Sequence, residues 1–210
     1  MIKILICDDH AIVRQGLRQI VEDCNDINIA GEAESGEELI RLIDKDNIDV
    51  IVLDIAMDGI GGIEALKEIK YRKPELAVLM LSMHPEDQYA IRVLKAGASG
   101  YLTKKSAPDE LVQAIRTVAK GKKYITASVS EKLVSNLNID EDTEPHETLS
   151  DREYQVFIKL AEGKTVGQTA EDLHISVKTV STYKARIMEK LGLDNISELI
   201  RYALEQKLIS

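Results

Sequence analysis

The sequence lacks the long apolar segments that mark membrane proteins. No apolar run among its 210 residues approaches the roughly 20 residues needed to span a bilayer. The first residues, MIKILICDDH, lack the basic start, the long apolar core and the small-residue cleavage site of a secretory signal. These absences exclude a membrane partner and predict a cytoplasmic protein.

Cysteine is scarce, and metal-binding spacings of cysteine and histidine are absent. Cys7 and Cys24 are not in CxxC spacing, so the sequence predicts neither a zinc site nor a disulfide framework. Cys7 lies in an apolar run and is interpreted as a core residue rather than a redox centre. The four histidines form no HExxH-type cluster.

Positive charge is also in deficit, with 27 lysines and arginines against 36 aspartates and glutamates. Taken alone, the net charge of −9 argues against nucleic-acid binding, because phosphate contacts need local positive charge. The distribution of charge changes this conclusion. Residues 176–191 carry four basic side chains and one acid, so a basic stripe is predicted on one C-terminal helix.

The first 120 residues alternate between short apolar runs and stretches with helical periodicity. Two of the runs, VIVL and AVLML, are apolar on both faces, which is typical of interior strands in a parallel sheet covered by helices. Five such repeats predict an α/β domain with a doubly wound, five-stranded parallel sheet. The predicted strands are 2–7, 27–30, 50–53, 77–81 and 100–102, and the predicted helices are 11–23, 36–46, 60–72, 86–96 and 108–120.

A change of pattern after residue 120 predicts a second domain. Residues 138–148 contain five acids and one proline, which is typical of an extended, solvated linker, and a short helix is predicted at 128–136. The last 60 residues contain no strand-like run and predict an all-α, four-helix domain. The predicted helices are 151–162, 167–173, 177–191 and 196–206, and the predicted division is 1–120, a linker with a short helix at 121–148, and 149–210.

Chemically distinctive residues follow four of the predicted strands. Asp8 and Asp9 follow the first strand, Asp54 the third, Ser82 the fourth and Lys104 the fifth. The carboxyl ends of parallel strands share one edge of the sheet, so these side chains are expected to lie together. Three neighbouring carboxylates repel one another unless a cation lies between them, and oxygen ligands suit Mg²⁺. The pattern therefore predicts an Mg²⁺-dependent phosphoryl-transfer site with Asp54 as nucleophile.

Each of these acids also has a simpler explanation. Asp8, Asp9 and Asp54 each precede a predicted helix, where a carboxylate can cap the N-terminus. Capping explains any one acid, but it does not explain the serine and the lysine at the other strand ends. The full set favours a functional pocket.

On these residues, positions 1–120 resemble the receiver domain of two-component response regulators. The resemblance implies that Asp54 accepts a phosphoryl group from a sensor histidine kinase. It also implies that Mg²⁺ is held by Asp9, Asp54 and the carbonyl of Ala56, with assistance from Asp8. The only chemistry implied is self-phosphorylation and autodephosphorylation at Asp54, so the protein is expected to be a regulator and not an enzyme.

The same resemblance implies a switch made by Ser82 and Tyr101. Ser82 would move toward the phosphoryl group and Tyr101 would turn inward behind it, a position that an ordinary core tyrosine would also occupy. Three positions depart from the family. Lys105 and Asp58 stand where proline is usual, and Met83 stands where a small residue is usual, so the peptide bond after Lys104 is left open as cis or trans.

The helices at 167–173 and 177–191, with the turn between them, have the lengths of a helix-turn-helix. On the second helix Val180, Ile187 and Leu191 recur at helical spacing and are expected to face the core. An ordinary solvated helix would also carry scattered lysines. Residues 149–209, with LSDREYQVF, LAEGKT and SVKTVSTYKARIMEKLG, resemble the LuxR-type DNA-binding domain of the NarL/FixJ class, and its UvrY/GacA-like subgroup in particular.

That second resemblance implies double-stranded promoter DNA as a partner and a homodimer on DNA, with RNA polymerase as a further partner. The last helix would pair two subunits through Ile196, Leu199 and Ile200, although packing within one subunit is an equal alternative. Ser181, Thr182 and Ala185 are expected to face bases. The expected contacts to the DNA backbone are Lys178, Thr179, Lys184, Arg186 and Lys190.

Three rival functions agree less well with the sequence. An aspartyl-intermediate phosphatase usually needs DxD at the nucleophile, whereas this sequence reads Asp54-Ile55-Ala56. The complete acidic, hydroxyl and lysine set disfavours a constitutive DNA-binding protein with an inactive receiver. The basic stripe disfavours a pure protein adaptor.

Overall fold

The computed structural model describes residues 1–44, 47–57, 59–83, 86–126, 129–130 and 144–209, and it describes only the backbone of residues 86–88. The predicted helix at 128–136 lies almost entirely outside these ranges, as do Asp58 and His84. By its internal contacts the chain forms two compact units, Met1–Val134 and Ser135–Ser210. Within the described residues no helix is both long enough and apolar enough to cross a membrane.

The first unit contains the predicted five-stranded parallel sheet. The strand order is β2-β1-β3-β4-β5, so the chain reverses its winding direction beside β1. The strands are β1 Ile2–Cys7, β2 Ile27–Ala33, β3 Val50–Asp54, β4 Ala77–Ser82 and β5 Gly100–Thr103. The helices are α1 Ala11–Glu22, α2 Gly36–Leu42, α3 Gly62–Arg72, α4 Glu86–Lys95 and α5 Pro108–Val118.

The sheet forms the core because its central strands are apolar on both faces. Every residue of β3 and of β4 is buried. On one face, alternate strand residues such as Ile6 and Val52 pack with Leu17 of α1 and Ile115 of α5. Since side chains alternate along a strand, the residues between them, such as Ile51, are buried on the opposite face.

Two element boundaries differ from the sequence prediction by three residues or more. The edge strand β2 continues to Ala33, which pairs with Cys7, although GEA carries little apolar signal. Helix α2 stops at Leu42 instead of 46, because the residues after Ile43 are DKDN and offer no apolar side chain to bury. Beyond α5, Tyr124 forms an isolated parallel bridge with Gly100, so the chain continues along the sheet after the last helix.

The second unit is helical, as predicted. Ser150 and Glu153 form the capping box that begins its first long helix, and Gly192 ends the third in the left-handed conformation at φ 64°. The extended-linker prediction is wrong for Pro145–Thr148, which form a 3-10 helix because His146 bonds the hydroxyl of Tyr202. The helices are α6 Asp151–Ala161, α7 Val166–Asp172, α8 Val177–Leu191 and α9 Ile196–Glu205.

Candidate functional site

The predicted pocket forms at the carboxyl edge of the sheet. The Lys104 ammonium lies 2.6 Å from Asp8 Oδ2 and 2.8 Å from Asp54 Oδ2, so one cation bridges two carboxylates. Asp8, Asp54 and Ser82 are all buried, with at most 2% of each residue exposed. The Lys104 backbone N–H donates to the Ser82 carbonyl over 2.7 Å, which ties the ends of β4 and β5 together. The structure therefore brings together residues from four strand ends.

The loop after Asp54 is shaped by a close backbone approach. The Gly62 N–H donates to the Ile55 carbonyl over 3.1 Å, and a Cβ on Gly62 would lie only 1.9 Å from the Asp54 carbonyl oxygen. Glu37 accepts a hydrogen bond from the Ile60 N–H over 3.0 Å and holds the same loop from α2. The position of Asp54 therefore depends on a glycine at 62.

Helix capping does not explain Asp54. Helix α3 begins at Gly62 with Gly61 as its N-cap, so Asp54 lies well before the helix. The N-cap of α1 is His10, whose side chain makes no capping bond, although Asp8 Oδ1 accepts the His10 N–H over 2.9 Å. Asp8 thus closes a turn while its other oxygen faces Lys104.

Burial and charge act against each other in this pocket. Burial raises the pKa of the Asp54 carboxyl to about 6, while Lys104 opposes the rise and Asp8 adds to it. Burial by itself would lower the pKa of Lys104, but the carboxylates of Asp54 and Asp8 outweigh it and raise that pKa. The ammonium is therefore held charged beside a carboxylate that resists ionisation.

The donor set fits a hard divalent cation. Asp8, Asp9, His10 and Asp54 each offer a ligand atom, and these atoms all lie within 4.8 Å of one another. Lys104 contacts Asp8 Oδ2 and Asp54 Oδ2, and His10 contacts Asp9 Oδ1. Carboxylate oxygens gathered in this way are suited to Mg²⁺.

Two residues of this edge were missed by the sequence analysis. His10 Nδ1 lies 2.6 Å from Asp9 Oδ1, and its place directly after the acid pair was the available signal. Arg14 is buried and donates to the Asp8 carbonyl, a contact that no sequence spacing indicates. The predicted ligand Ala56 lies in the loop after β3, and its backbone N–H donates to the Asp54 carboxylate.

The expected switch residues lie on β4 and β5. Ser82 ends β4, and Tyr101 is only 3% exposed on β5, so its ring lies inside the domain. Met83, in contrast, is 61% exposed. The described backbone contains no cis peptide bond, which makes the bond between Lys104 and Lys105 trans.

The second candidate site is the surface of α8. Val180 and Ile187 are fully buried, as predicted, whereas Leu191 is only half-buried because it lies at the last residue of the helix. Two hydroxyls are satisfied within the helix: Ser181 donates to the Val177 carbonyl and Thr182 to the Lys178 carbonyl. The exposed predicted contacts are Lys178, Ser181, Thr182, Ala185, Arg186 and Lys190, and the half-buried ones are Thr179 and Lys184.

Lys190 makes a specific contact within the domain. Its Nζ lies 2.6 Å from Glu153 Oε2, and Glu153 is 3% exposed in the capping box of α6. Burial would raise the pKa of Glu153, but hydrogen bonds from Lys190 and Ser150 outweigh it and hold that pKa below its ordinary value. Lys190 therefore anchors the end of α8 to the start of α6.

The three residues of α9 that were predicted to pair two subunits differ in their burial. Leu199 is fully buried, so its prediction as a surface contact is wrong and the alternative of packing within one subunit holds for it. Ile196 and Ile200 are half-buried. Leu204 is 50% exposed and lies one turn beyond Ile200, an apolar position that the sequence analysis did not select.

Comparison with known families matches both units. The family described as "Response regulator receiver domain" matches residues 4–116, and the family described as "Bacterial regulatory proteins, luxR family" matches residues 147–203. The chain therefore belongs to the two-component response regulators that carry a LuxR-type DNA-binding domain, the NarL/FixJ class.

Individual relatives are similar over nearly the whole length. The response regulator UvrY of Escherichia coli K12 is 36% identical over 99% of this chain and 96% of its own. The response regulator GacA of Pseudomonas aeruginosa is 34% identical over 100% of this chain and 98% of its own. These matches agree with the predicted subgroup.

Solved structures of RcsB are also similar to this chain. RcsB of Salmonella enterica serovar Typhimurium, bound to promoter rprA with the phosphomimetic BeF3⁻, is 31% identical with a TM-score of 0.63, covering 96% of this chain and 98% of that one. A second RcsB–DNA complex is 33% identical with a TM-score of 0.60, covering 100% and 99%. They confirm the fold class of both units.

Proposed function

We propose that Asp54 is the phosphoacceptor through which a sensor histidine kinase controls DNA binding by this protein. The observation that carries the proposal is the bridge from Lys104 to Asp8 and Asp54 in a buried pocket. A carboxylate beside a fixed ammonium and further oxygen ligands is arranged for phosphoryl transfer. The receiver family of the chain supports a kinase as the donor.

The chain's own residues have separate tasks in this reaction. An Asp54 carboxylate oxygen attacks phosphorus, the phosphorus–nitrogen bond of the donor phosphohistidine breaks, and the histidine takes up a proton. Lys104 neutralises negative charge on the phosphoryl oxygens, and the Ser82 hydroxyl donates to one of them. Asp8, Asp9, Asp54 and the Ala56 carbonyl would hold Mg²⁺, which when bound would neutralise charge on the same oxygens.

The acyl phosphate acts by shifting a population between two states. Ser82 turns toward the phosphoryl group, Tyr101 occupies the space behind it, and the altered surface favours dimerisation. Hydrolysis of the same bond, autodephosphorylation, restores the first state.

We assign residues 1–120 to the receiver domain, 121–148 to the linker and 149–210 to the DNA-binding domain.

On the DNA side, α8 enters the major groove of promoter DNA. Ser181, Thr182 and Ala185 have short side chains on an exposed surface, which suits them to face base edges. A homodimer would read two half-sites, with Ile196 and Ile200 of α9 in the contact. The contacts to the DNA backbone are Lys178, Thr179, Lys184 and Arg186, with Lys190 contributing at the end of the helix. A regulator of this kind works in the cytoplasm and has RNA polymerase as a further partner.

Phosphorylation of Asp54 can be tested directly. The full chain is incubated with a small phosphodonor and Mg²⁺, and intact mass and peptide mapping locate the added phosphoryl group. We expect one group on wild type, none on Asp54→Asn, and one on the control Asp109→Asn, whose acid lies at the start of α5. Labelling of Asp54→Asn equal to that of wild type would contradict the assignment.

A further inference from the structure

Arg14 is a buried arginine at the rim of the acidic pocket. It lies on α1 and is 7% exposed, although arginine is rarely buried in folded proteins unless it is paired. Its Nη1 donates to the backbone carbonyl of Asp8 over 2.8 Å. A buried guanidinium therefore contacts the main chain between the two acids that follow β1.

The charge of Arg14 is balanced by two glutamates. Its Nη2 donates to Glu34 Oε1, and its Nε lies 3.6 Å from Glu32 Oε2. Glu32 lies in β2 and Glu34 directly follows that strand, which pairs with β1 up to Cys7 and Ala33. Since two carboxylates offset the guanidinium, Arg14 does not compete for charge with a cation held by the pocket.

The Asp8 carbonyl belongs to the peptide group that joins Asp8 to Asp9. The Asp8 N–H is fixed by the Ala33 carbonyl at 3.2 Å, and Asp8 Oδ1 closes the turn onto the His10 N–H. The bond from Arg14 fixes the Asp8 carbonyl as well. The orientation of that peptide group sets where the Asp9 carboxylate can lie.

We propose that Arg14 is a positioning residue for the metal site, whose bridge from Glu32 and Glu34 to the Asp8 carbonyl sets the affinity of the pocket for a divalent cation. The proposal rests on the Mg²⁺ site proposed above. Groups that orient ligands without touching a metal typically change its affinity by about 10-fold to 100-fold when they are removed. Arg14 has the burial, the contact and the balanced charge for that role.

Mg²⁺ titration calorimetry on the full chain tests the proposal. Arg14→Met keeps the length of the side chain and removes its donors, and we expect the Kd for Mg²⁺ to rise roughly tenfold. Arg18→Met is the matched control: Arg18 lies one turn along α1 and also pairs with Glu32, but its side chain is 48% exposed and is not bonded to Asp8. Its Kd should stay within about twofold of wild type.

A second readout separates positioning from loss of the fold. The Mg²⁺ concentration that gives half-maximal phosphorylation by a small phosphodonor should rise for Arg14→Met, while the rate at saturating Mg²⁺ stays near that of wild type. Arg14→Lys keeps one charge but cannot bridge both partners, so its Kd should lie between those of wild type and Arg14→Met. If Arg14→Met does not fold, Arg14→Lys carries the test.

The outcomes distinguish the two proposals. Wild type that binds no Mg²⁺ would reject the metal site itself, and with it the role of Arg14. Wild type that binds Mg²⁺, with an unchanged Kd in Arg14→Met and Arg14→Lys or an equal rise in Arg18→Met, would overturn the role of Arg14 alone.

Discussion

The tightest steric constraint on the pocket falls on Gly62. Because a Cβ at this position would lie 1.9 Å from the Asp54 carbonyl oxygen, Gly62→Ala must displace the loop after β3. We expect a loss of about 1–3 kcal/mol in unfolding free energy, the usual cost of forcing an extra carbon into a packed site. Urea denaturation followed by circular dichroism measures it.

Gly16 provides the control for that prediction. It is exposed on α1, and a Cβ there would meet nothing within 4 Å. Gly16→Ala should therefore stabilise the protein by up to about 1 kcal/mol, since glycine is a poor helix former. A destabilisation as large in Gly16→Ala as in Gly62→Ala would show that the close approach to Asp54 is not the cause.

The raised pKa of Asp54 gives a prediction about pH. Burial raises the pKa of the folded Asp54 carboxyl to about 6, so the folded protein binds more protons than the unfolded chain between about pH 4 and 6. Stability therefore falls as the pH rises through that window. In EDTA at pH 7, Asp54→Asn should melt at a higher temperature than wild type, and the difference should shrink below pH 4.

A comparison of melting temperatures with and without Mg²⁺ gives a second test on the same variant. The ion should raise the melting temperature of wild type more than that of Asp54→Asn, because the proposed Mg²⁺ site includes the ionised Asp54 carboxylate. Asp54→Asn that melts below wild type at pH 7 without metal would contradict the burial cost assigned to Asp54.

Single residues also show where sequence reasoning stops. Asp54, Ser82 and Lys104 could be predicted to meet because chain order and parallel pairing place their strand ends at one edge. Arg14 could not, since its role depends on how far a side chain reaches back over the start of α1. Leu199 was predicted as a surface contact and is buried. Apolar residues at helical spacing occur on both the buried and the exposed faces of α9, so the spacing alone does not show which face a residue occupies.

At the level of elements, two basic side chains of α8 differ in their contacts within the domain. Lys178 is exposed at the start of the helix, whereas Lys190 at its end forms an ion pair with Glu153. The slope of log affinity for DNA against log salt concentration reflects the number of phosphate contacts. We expect Lys178→Ala to reduce this slope by about one, the value for one phosphate contact. Lys190→Met should change that slope less and should lower the unfolding free energy instead. Fluorescence anisotropy over a salt series measures the slope for both.

Glu153, the ion-pair partner of Lys190, provides a control for this prediction. Glu153→Gln removes the same ion pair without removing a positive charge, so its stability loss should resemble that of Lys190→Met while its salt slope stays that of wild type. If Lys190→Met lowers the slope as much as Lys178→Ala, Lys190 contributes to DNA binding as fully as Lys178 does, which would contradict this division.

Elements were predictable where burial and capping gave a clear pattern. The central strands β3 and β4 and the helix α8 were predicted within about a residue at each end, because apolar runs and cap residues mark their limits. The edge strand β2 was shortened because its last residues are held by pairing with β1 and carry little apolar signal. The 3-10 helix at Pro145–Thr148 depends on a bond from His146 to Tyr202, which lies 56 residues away in sequence.

For the whole molecule, one chain combines a receiver domain with a LuxR-type DNA-binding domain. The domains could be predicted because each carries a dense set of motif residues. The coupling between them could not, because it depends on a difference in free energy between two states. A phosphoryl group can act on α8 only by favouring one of these states over the other.

The affinity for DNA before and after phosphorylation tests this coupling most directly. An operator is first selected from a random DNA pool with the phosphorylated protein at a stated salt concentration. Its Kd is then measured for the full chain with and without a small phosphodonor and Mg²⁺, beside Asp54→Asn treated in the same way. We predict tighter binding by phosphorylated wild type and no change in Asp54→Asn. Equal Kd values for wild type in both states would contradict control of DNA binding through Asp54.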